Sequence, residues 1–303
     1  MKEPASPFVG SEALAAGTFT RRTLASRNQQ IHRNVYLPNG HVLTPTTRAV
    51  AAWLWSGRKA TLARLSAAAL HGTKWIDPDE PAELCRVEGG TNGIVIHRGS
   101  LREDEVSLIA GMPVTTPART AFDIGRRESL PRTVARLDAL ANATRLDAAK
   151  VLRVASHHPG ARGAVLLRRA CDLMDGGAES PQETRTRLLL INAGLRRPQT
   201  QIVVRDDYGL PFARIDMGWE EFLVGVEYDG PQHWTDPNRR NRDIEKYAEL
   251  DERGWRIVRV NQDLLRYRSR VVVARTCATL AAAGCSWLDE CGVDPRFLAR
   301  GVT

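Results

Sequence analysis

Lysine is scarce in this sequence: five residues, at positions 2, 59, 74, 150 and 246, among 43 basic side chains. The positive charge is therefore almost wholly arginine, a bias that also suits a GC-rich genome. Cysteine is as sparse. The five residues Cys85, Cys171, Cys277, Cys285 and Cys291 are odd in number, scattered and without a CxxC pair, so neither a disulfide framework nor a zinc site is indicated, and they fit a reducing cytoplasm. No apolar run approaches the roughly 18 residues of a membrane helix, and MKEPASPFVG at the N-terminus lacks the apolar stretch of a signal peptide. The glycine-rich turn GGTNG at 89–93 is followed by no Gly-Lys-Ser/Thr, so it is no phosphate loop. The expectation is a cytoplasmic protein with no membrane partner.

What is present is enough chain, 303 residues, for two or three domains. The net charge of +8 is uneven, with eight basic against two acidic side chains in residues 1 to 60. Such an end suggests a polyanion partner. Ser11 is a fair N-cap for a first helix that breaks at Gly17, and Thr18 or Thr20 restarts a second helix carrying Arg21, Arg22 and Arg27. IHRNVYLPNGHVLT then alternates and holds Asn39-Gly40, a two-residue hairpin signal. Helix, turn, basic helix and hairpin is the order of a winged helix-turn-helix, with Arg21, Arg22, Arg27 and Arg33 as candidate DNA contacts. The alternative is a small helical cap with solvated arginines. The short helix, the Gly17 turn with Arg21 and Arg22, and the Val35-Tyr36 strand also resemble the N-terminal domain of the abortive-infection antitoxins of type IV toxin–antitoxin systems.

Residues 46 to 72 read as helical and rich in Ala and Leu, with Trp53 and Trp55 as core. His71 before Gly72 suits a helix C-terminus better than a metal. Two strands flank the 89–93 turn, with His97 half exposed on the second. PVTTPARTAFDIGRR gives a strand and then a helix from Pro117, placing Arg119 and Asp123 at i and i+4 as a surface pair or a domain buttress. Helices fill 130 to 175, and the adjacent His157 and His158 point too far apart to chelate. Gly176-Gly177 before Ser180-Pro181 is the clearest linker. The expected domains are 1–72, 73–175 and 179–303.

The last segment reads as helix, three strands, helix, strand and a final helix to about 283. Strand alternation sets Glu227 and Asp229 on one side, and Asp216 lies near the end of the preceding strand. Three carboxylates converging on a sheet edge repel and raise one another's pKa unless a hard divalent cation holds them. SPQE at 180–183, ARID at 213–216, VEYDGPQHW at 226–234, Arg242-Asp243 and GWRIVRV at 254–260 together resemble the PD-(D/E)XK nuclease superfamily. Within it they look most like a domain-of-unknown-function group related to very-short-patch mismatch-repair endonucleases.

That resemblance implies Asp216 and Glu227 as metal ligands for Mg²⁺ or Mn²⁺, Glu183 as an accessory glutamate and His233 as a general base or water-orienting group. Where many members carry lysine, two residues after Glu227, this sequence has Asp229. Either Lys246 or Arg242 supplies that charge, or Asp229 is a further metal ligand, or it caps the Gly230-Pro231 turn.

The expected fold class is α/β (α+β): a restriction-endonuclease-like mixed sheet flanked by helices, an N-terminal winged helix-turn-helix and a helical/β middle region. The expected function is a metal-dependent DNA endonuclease. The alternative is a non-catalytic, antitoxin-like DNA-binding regulator with a degenerate nuclease fold. A homodimer and a toxin or methyltransferase partner complete the expectations.

Overall fold

In the computed structural model, which describes residues 6–85, 92–230 and 237–293, a short strand β1 (Phe8–Val9) runs straight into α1 (Gly10–Ala15). Ser11, the expected cap, lies inside that helix. Val9 holds the cap position without a side-chain bond, and Asn34 Oδ1 accepts from the Ser11 N–H at 2.9 Å instead. Gly17 turns the chain at φ +67. Thr20 then caps α2 (Arg21–Arg27) in a reciprocal exchange with Thr23.

β2 (Asn28–His32) and β3 (Val35–Pro38) form the expected hairpin, but it turns at Arg33-Asn34 rather than at Asn39-Gly40. Asparagine tolerates the left-handed backbone that a tight turn demands, and Asn34 takes φ +61. Asn39-Gly40 falls just beyond β3, and β1 pairs on the strand's other side to give the order β1-β3-β2.

The helix expected across 46–72 is broken. Thr44 caps α3 (Pro45–Trp55), which stops before Gly57 and Arg58 at φ +66 and +65. β4 (Thr61–Leu62) and α4 (Arg64–Leu70) follow. β5 (Ala82–Cys85) and β6 (Ile94–His97) pair in parallel, and residues 86–91 of their connection lie outside the described residues. With β7 (Val106–Ile109) and β8 (Met112–Thr115) they make a five-stranded sheet of order β6-β5-β4-β8-β7.

The alanines of α3 have a purpose here: Ala49 and Ala52 pack with Leu62, Leu84 and Val114 of the large sheet, while Ala51 and Leu54 pack with Val35 of the small one. Trp53 and Trp55 are only half buried at the rims of these clusters. α5 (Pro117–Ile124), α6 (Leu130–Thr144), α7 (Ala148–His157) and α8 (Ala164–Leu173) complete a first unit spanning 1–176.

The second unit, 177–303, starts where Ser180 accepts from the Glu183 N–H and Pro181 takes the first position of α9 (Pro181–Asn192). β9 (Gln199–Arg205) and β10 (Pro211–Trp219) form the hairpin about Asp207-Tyr208-Gly209. The third strand is shorter than expected. A 3-10 turn occupies Glu220–Phe222, Leu223 is left-handed at φ +51, and only then does β11 (Val224–Asp229) begin.

α10 (Pro237–Glu252) joins β11 to β12 (Arg256–Asn261), and those strands are parallel, as a helical crossover requires. The final helix is two: α11 (Gln262–Tyr267) and α12 (Ser269–Ala282). The sheet order is β12-β11-β10-β9. Leu190 of α9 and Val272, Val273 and Leu280 of α12 pack against Val224, Val226, Val258 and Val260, while Leu250 of α10 covers Ile202, Val204 and Ile215. The fold is of the mixed α+β class. No helix among the described residues is long and apolar enough to cross a membrane.

Candidate functional site

The carboxylates of the second unit gather where the sheet breaks its own alternation. Side chains two apart on a strand normally share a face. Ile215 and Met217 instead join different core clusters. The partner strand explains it: Ile215 pairs with Ile202 and Met217 with Thr200, so Asp216 falls opposite Gln201, whose backbone is left-handed at φ +55. Asp216 therefore sits at a kink between two layers, with Oδ2 accepting from the Tyr228 N–H at 2.8 Å.

Burial and the neighbouring charges of Glu183 and then Glu227 push the Asp216 carboxyl up to about 7, against the pull of the Tyr228 N–H and Lys246. Glu183 is itself buried and raised, chiefly by desolvation. Its Oε2 accepts from the Glu179 N–H at 2.8 Å and from Gln201 Nε2 at 3.3 Å.

Glu227 is buried beneath α10 and both its oxygens are engaged. Lys246 Nζ donates to Oε1 at 2.6 Å, and the Tyr247 hydroxyl donates to Oε2. The phenol is pushed up, first by burial and then by the Glu227 charge. Asp229 shares that side of the strand, as alternation requires, yet it pairs with Arg259, whose Nε and Nη2 each lie 2.8 Å from Oδ2. Arg259 also lies over the Tyr247 ring at 4.7 Å. Asp229 has as its partner the arginine of the adjoining parallel strand, at the register Glu227↔Arg259. The cation near Glu227 is Lys246, one of the two side chains considered for that place. The other, Arg242, and His233 lie where side chains are outside the described residues.

As arranged, the carboxylates are engaged by partners from this chain. Both oxygens of Glu227 are occupied, Asp229 is neutralised, and among the described residues no three His, Cys, Asp or Glu side chains gather as a metal-holding group. Gln201, Tyr247 and Arg259 are the residues that sequence reasoning missed. Tyr247 adjoins Lys246 on the same helix and could have been flagged. A left-handed glutamine inside a strand leaves no sequence signal.

In the first unit Arg21, Arg22, Arg27 and Arg33 are all exposed, the first three on α2 and the last at the hairpin turn. Glu12, the one acid among residues 6–44, accepts two hydrogen bonds from Arg58, at 2.6 and 2.7 Å. The helix and its wing therefore present four exposed arginines.

Elsewhere in this unit Arg119 and Asp123 pair at 2.8 Å as their spacing suggested, but both are buried rather than on the surface. Arg119 also donates to Glu105 and to the Ser100 carbonyl, and Glu105 in turn meets His158. His157 is exposed, so the two histidines diverge. His71 Nε2 contacts the Thr115 carbonyl at 2.8 Å, a structural bond. All five cysteines are free, and burial pushes the Cys85, Cys171 and Cys277 thiols up to about 11.

Against known proteins, residues 59–175 match the family model of the AbiEi antitoxin C-terminal domain. Two relatives from Mycobacterium tuberculosis, uncharacterized protein MT2308 of strain CDC 1551 / Oshkosh and uncharacterized protein Rv2248 of strain H37Rv, are each 30% identical over 242 residues. That alignment covers 78% of this chain and 87% of theirs. The chain belongs to their family. In this family member the antitoxin match spans β4 to α8, with the five-stranded sheet and the buried Arg119 network. The antitoxin likeness expected of the N-terminus is thus supported on the segment that follows it. The match does not extend to the carboxylates of the second unit.

Proposed function

We propose that the protein is a DNA-binding regulator of the type IV toxin–antitoxin kind, with a toxin as its protein partner. The observation that carries this reading is the antitoxin domain match over 59–175, directly behind a basic helix and hairpin. Arg21 and Arg22 in the first turn of α2, with Arg27 at its end and Arg33 on the wing, suit contact with phosphates on either side of a groove. Binding of this kind releases counterions and weakens steeply with salt. The test is fluorescence anisotropy with duplex from upstream of the protein's own reading frame. Replacing Arg21 and Arg22 by alanine is expected to weaken binding at every salt concentration and to lower the salt slope by about 2. Binding indifferent to the double substitution, or no binding at low salt, sinks this reading.

A second reading, metal-dependent phosphodiester hydrolysis, is favoured by one observation: Lys246 sets its ammonium against Glu227, beside the raised carboxyl of Asp216. A cation reaching Glu227 must first displace Lys246 or Tyr247. Plasmid nicking with Mg²⁺ or Mn²⁺ that is lost in both Asp216→Ala and Glu227→Ala supports it. No nicking in the native protein, or nicking that survives both changes, removes it.

A further inference from the structure

Within the antitoxin-like unit, a small polar cavity of about 110 Å³ opens between α4, the segment before β5 and the start of α6. Its charged lining is Arg64, Arg127 and Arg136 against Glu80, Glu83 and Glu128. The formal balance is even, but the partners are not evenly shared. Glu80 and Glu128 are both held by Arg136, at 2.8 and 2.9 Å, and by Arg132 from outside the cavity, at 3.5 and 3.3 Å. Glu83 accepts from the Leu65 N–H at 2.9 Å and lies 2.9 Å from His97 Nε2. Every carboxylate of the lining therefore has close partners.

Two guanidiniums do not. Arg64 is 9% exposed, and its nearest carboxylate oxygen, on Glu83, is 3.8 Å away, beyond hydrogen-bond reach. Buried arginine is ordinarily paired. Burial depresses the Arg64 pKa, and the like charges of Arg127 and Arg126 depress it further against the help of Glu83. Arg126 is turned away to Asp123 and to the Phe122 and Arg162 carbonyls, whereas exposed Arg127 has no carboxylate within ion-pair distance among the described residues. The backbone adds a second sign of purpose. Arg64 holds φ +47, a left-handed conformation that costs free energy for a residue with a Cβ. The strain places a desolvated cation at the cavity wall.

We infer that this cavity binds a tetrahedral oxyanion of the phosphoryl class between the Arg64 and Arg127 guanidiniums. An anion there removes the repulsion between two like charges and supplies the charge-assisted bonds that Arg64 lacks. The size agrees: water takes about 30 Å³ in the liquid, so the cavity holds a phosphoryl group, and it is far below the ~300–1,000 Å³ of pockets that enclose whole drug-sized ligands. The ligand's phosphoryl enters and any remainder stays outside. This inference stands apart from the regulator reading, since neither α2 nor the second unit takes part.

The test titrates the full chain with inorganic phosphate at constant ionic strength, with chloride as the control, by calorimetry and by thermal unfolding. Saturable binding and a phosphate-specific rise in melting temperature are expected. Arg127→Gln, on the surface, leaves the fold intact and weakens binding about tenfold, the loss of one charge-assisted bond; Arg64→Gln weakens it at least as much where it folds. Adenosine monophosphate in parallel identifies the source: tighter binding than phosphate indicates a nucleotide, and equal binding a free anion. No saturable phosphate binding, or binding unchanged in Arg127→Gln, overturns the inference.

Discussion

Asp216 is the residue whose chemistry departs furthest from its sequence. An aspartate ionises near 3.8 when unperturbed, but here desolvation and two neighbouring glutamates hold it up to about 7. The folded chain thus keeps a proton that the unfolded chain releases between pH 4 and 7, and stability falls as pH rises through that window. Asp216→Asn retains an acceptor for the Tyr228 N–H and removes the titration. It is expected to flatten the fall and to be more stable than the native protein at pH 8 by about 2 kcal/mol, since one pKa unit is about 1.4 kcal/mol and the site is partly solvated. Urea unfolding at pH 5 and pH 8 reads this, and equal slopes in the two proteins contradict it. Arg119 is the counterpart in the first unit, a buried cation with Glu105 and Asp123 as partners. Arg119→Met strands two buried carboxylates and should cost about 3–5 kcal/mol in urea unfolding. The i, i+4 spacing made the Arg119–Asp123 pair legible; Glu105 and His158 come from 14 and 39 residues away, and no local pattern announces them.

At the scale of elements, the sequence marked helices by their caps and strands by their alternation: of the marked caps Thr20 and Ser180 accept from the backbone three residues on, while Thr44 and Thr116 do the same unmarked. The misreadings have one cause. Asn39-Gly40, the continuous helix over 46–72 and the long third strand were all favoured locally, and contacts with other strands overrode them. Gly218 and Gly225 show how tight such contacts become. They face each other across β10 and β11, and a Cβ at Gly218 would stand 2.2 Å from the Val224 carbonyl oxygen. No side-chain rotation relieves a clash with backbone. Gly218→Ala is therefore expected to destabilise the second unit by about 2 kcal/mol or more, measured by urea unfolding; a neutral effect would mean that the two strands are not in this register.

On the scale of the whole molecule, each of the two units has its own sheets and its own buried clusters. Fragments 1–176 and 177–303 should consequently each unfold cooperatively, and DNA binding should stay with the first. A fragment 1–176 that folds yet fails to bind the duplex held by the full chain would place the DNA contact elsewhere. Charge adds to that expectation, because the arginines of α2 and its hairpin outnumber the acids around them.

By itself the sequence determined the mixed α+β class, the basic N-terminal end and the Gly-Gly linker, along with the identity of the acids in the last sheet. Each of these depends on composition or on neighbours a few residues apart. Only the tertiary structure decided what those acids meet. Lys246 and Tyr247 reach Glu227 from the crossover helix, Arg259 reaches Asp229 from the parallel strand, and a left-handed Gln201 sets Asp216 at a kink. Electrostatics acts through distances in space, and residues 19 to 30 positions apart are brought within 3 Å by the sheet. A motif can therefore name carboxylates without naming the cations that neutralise them.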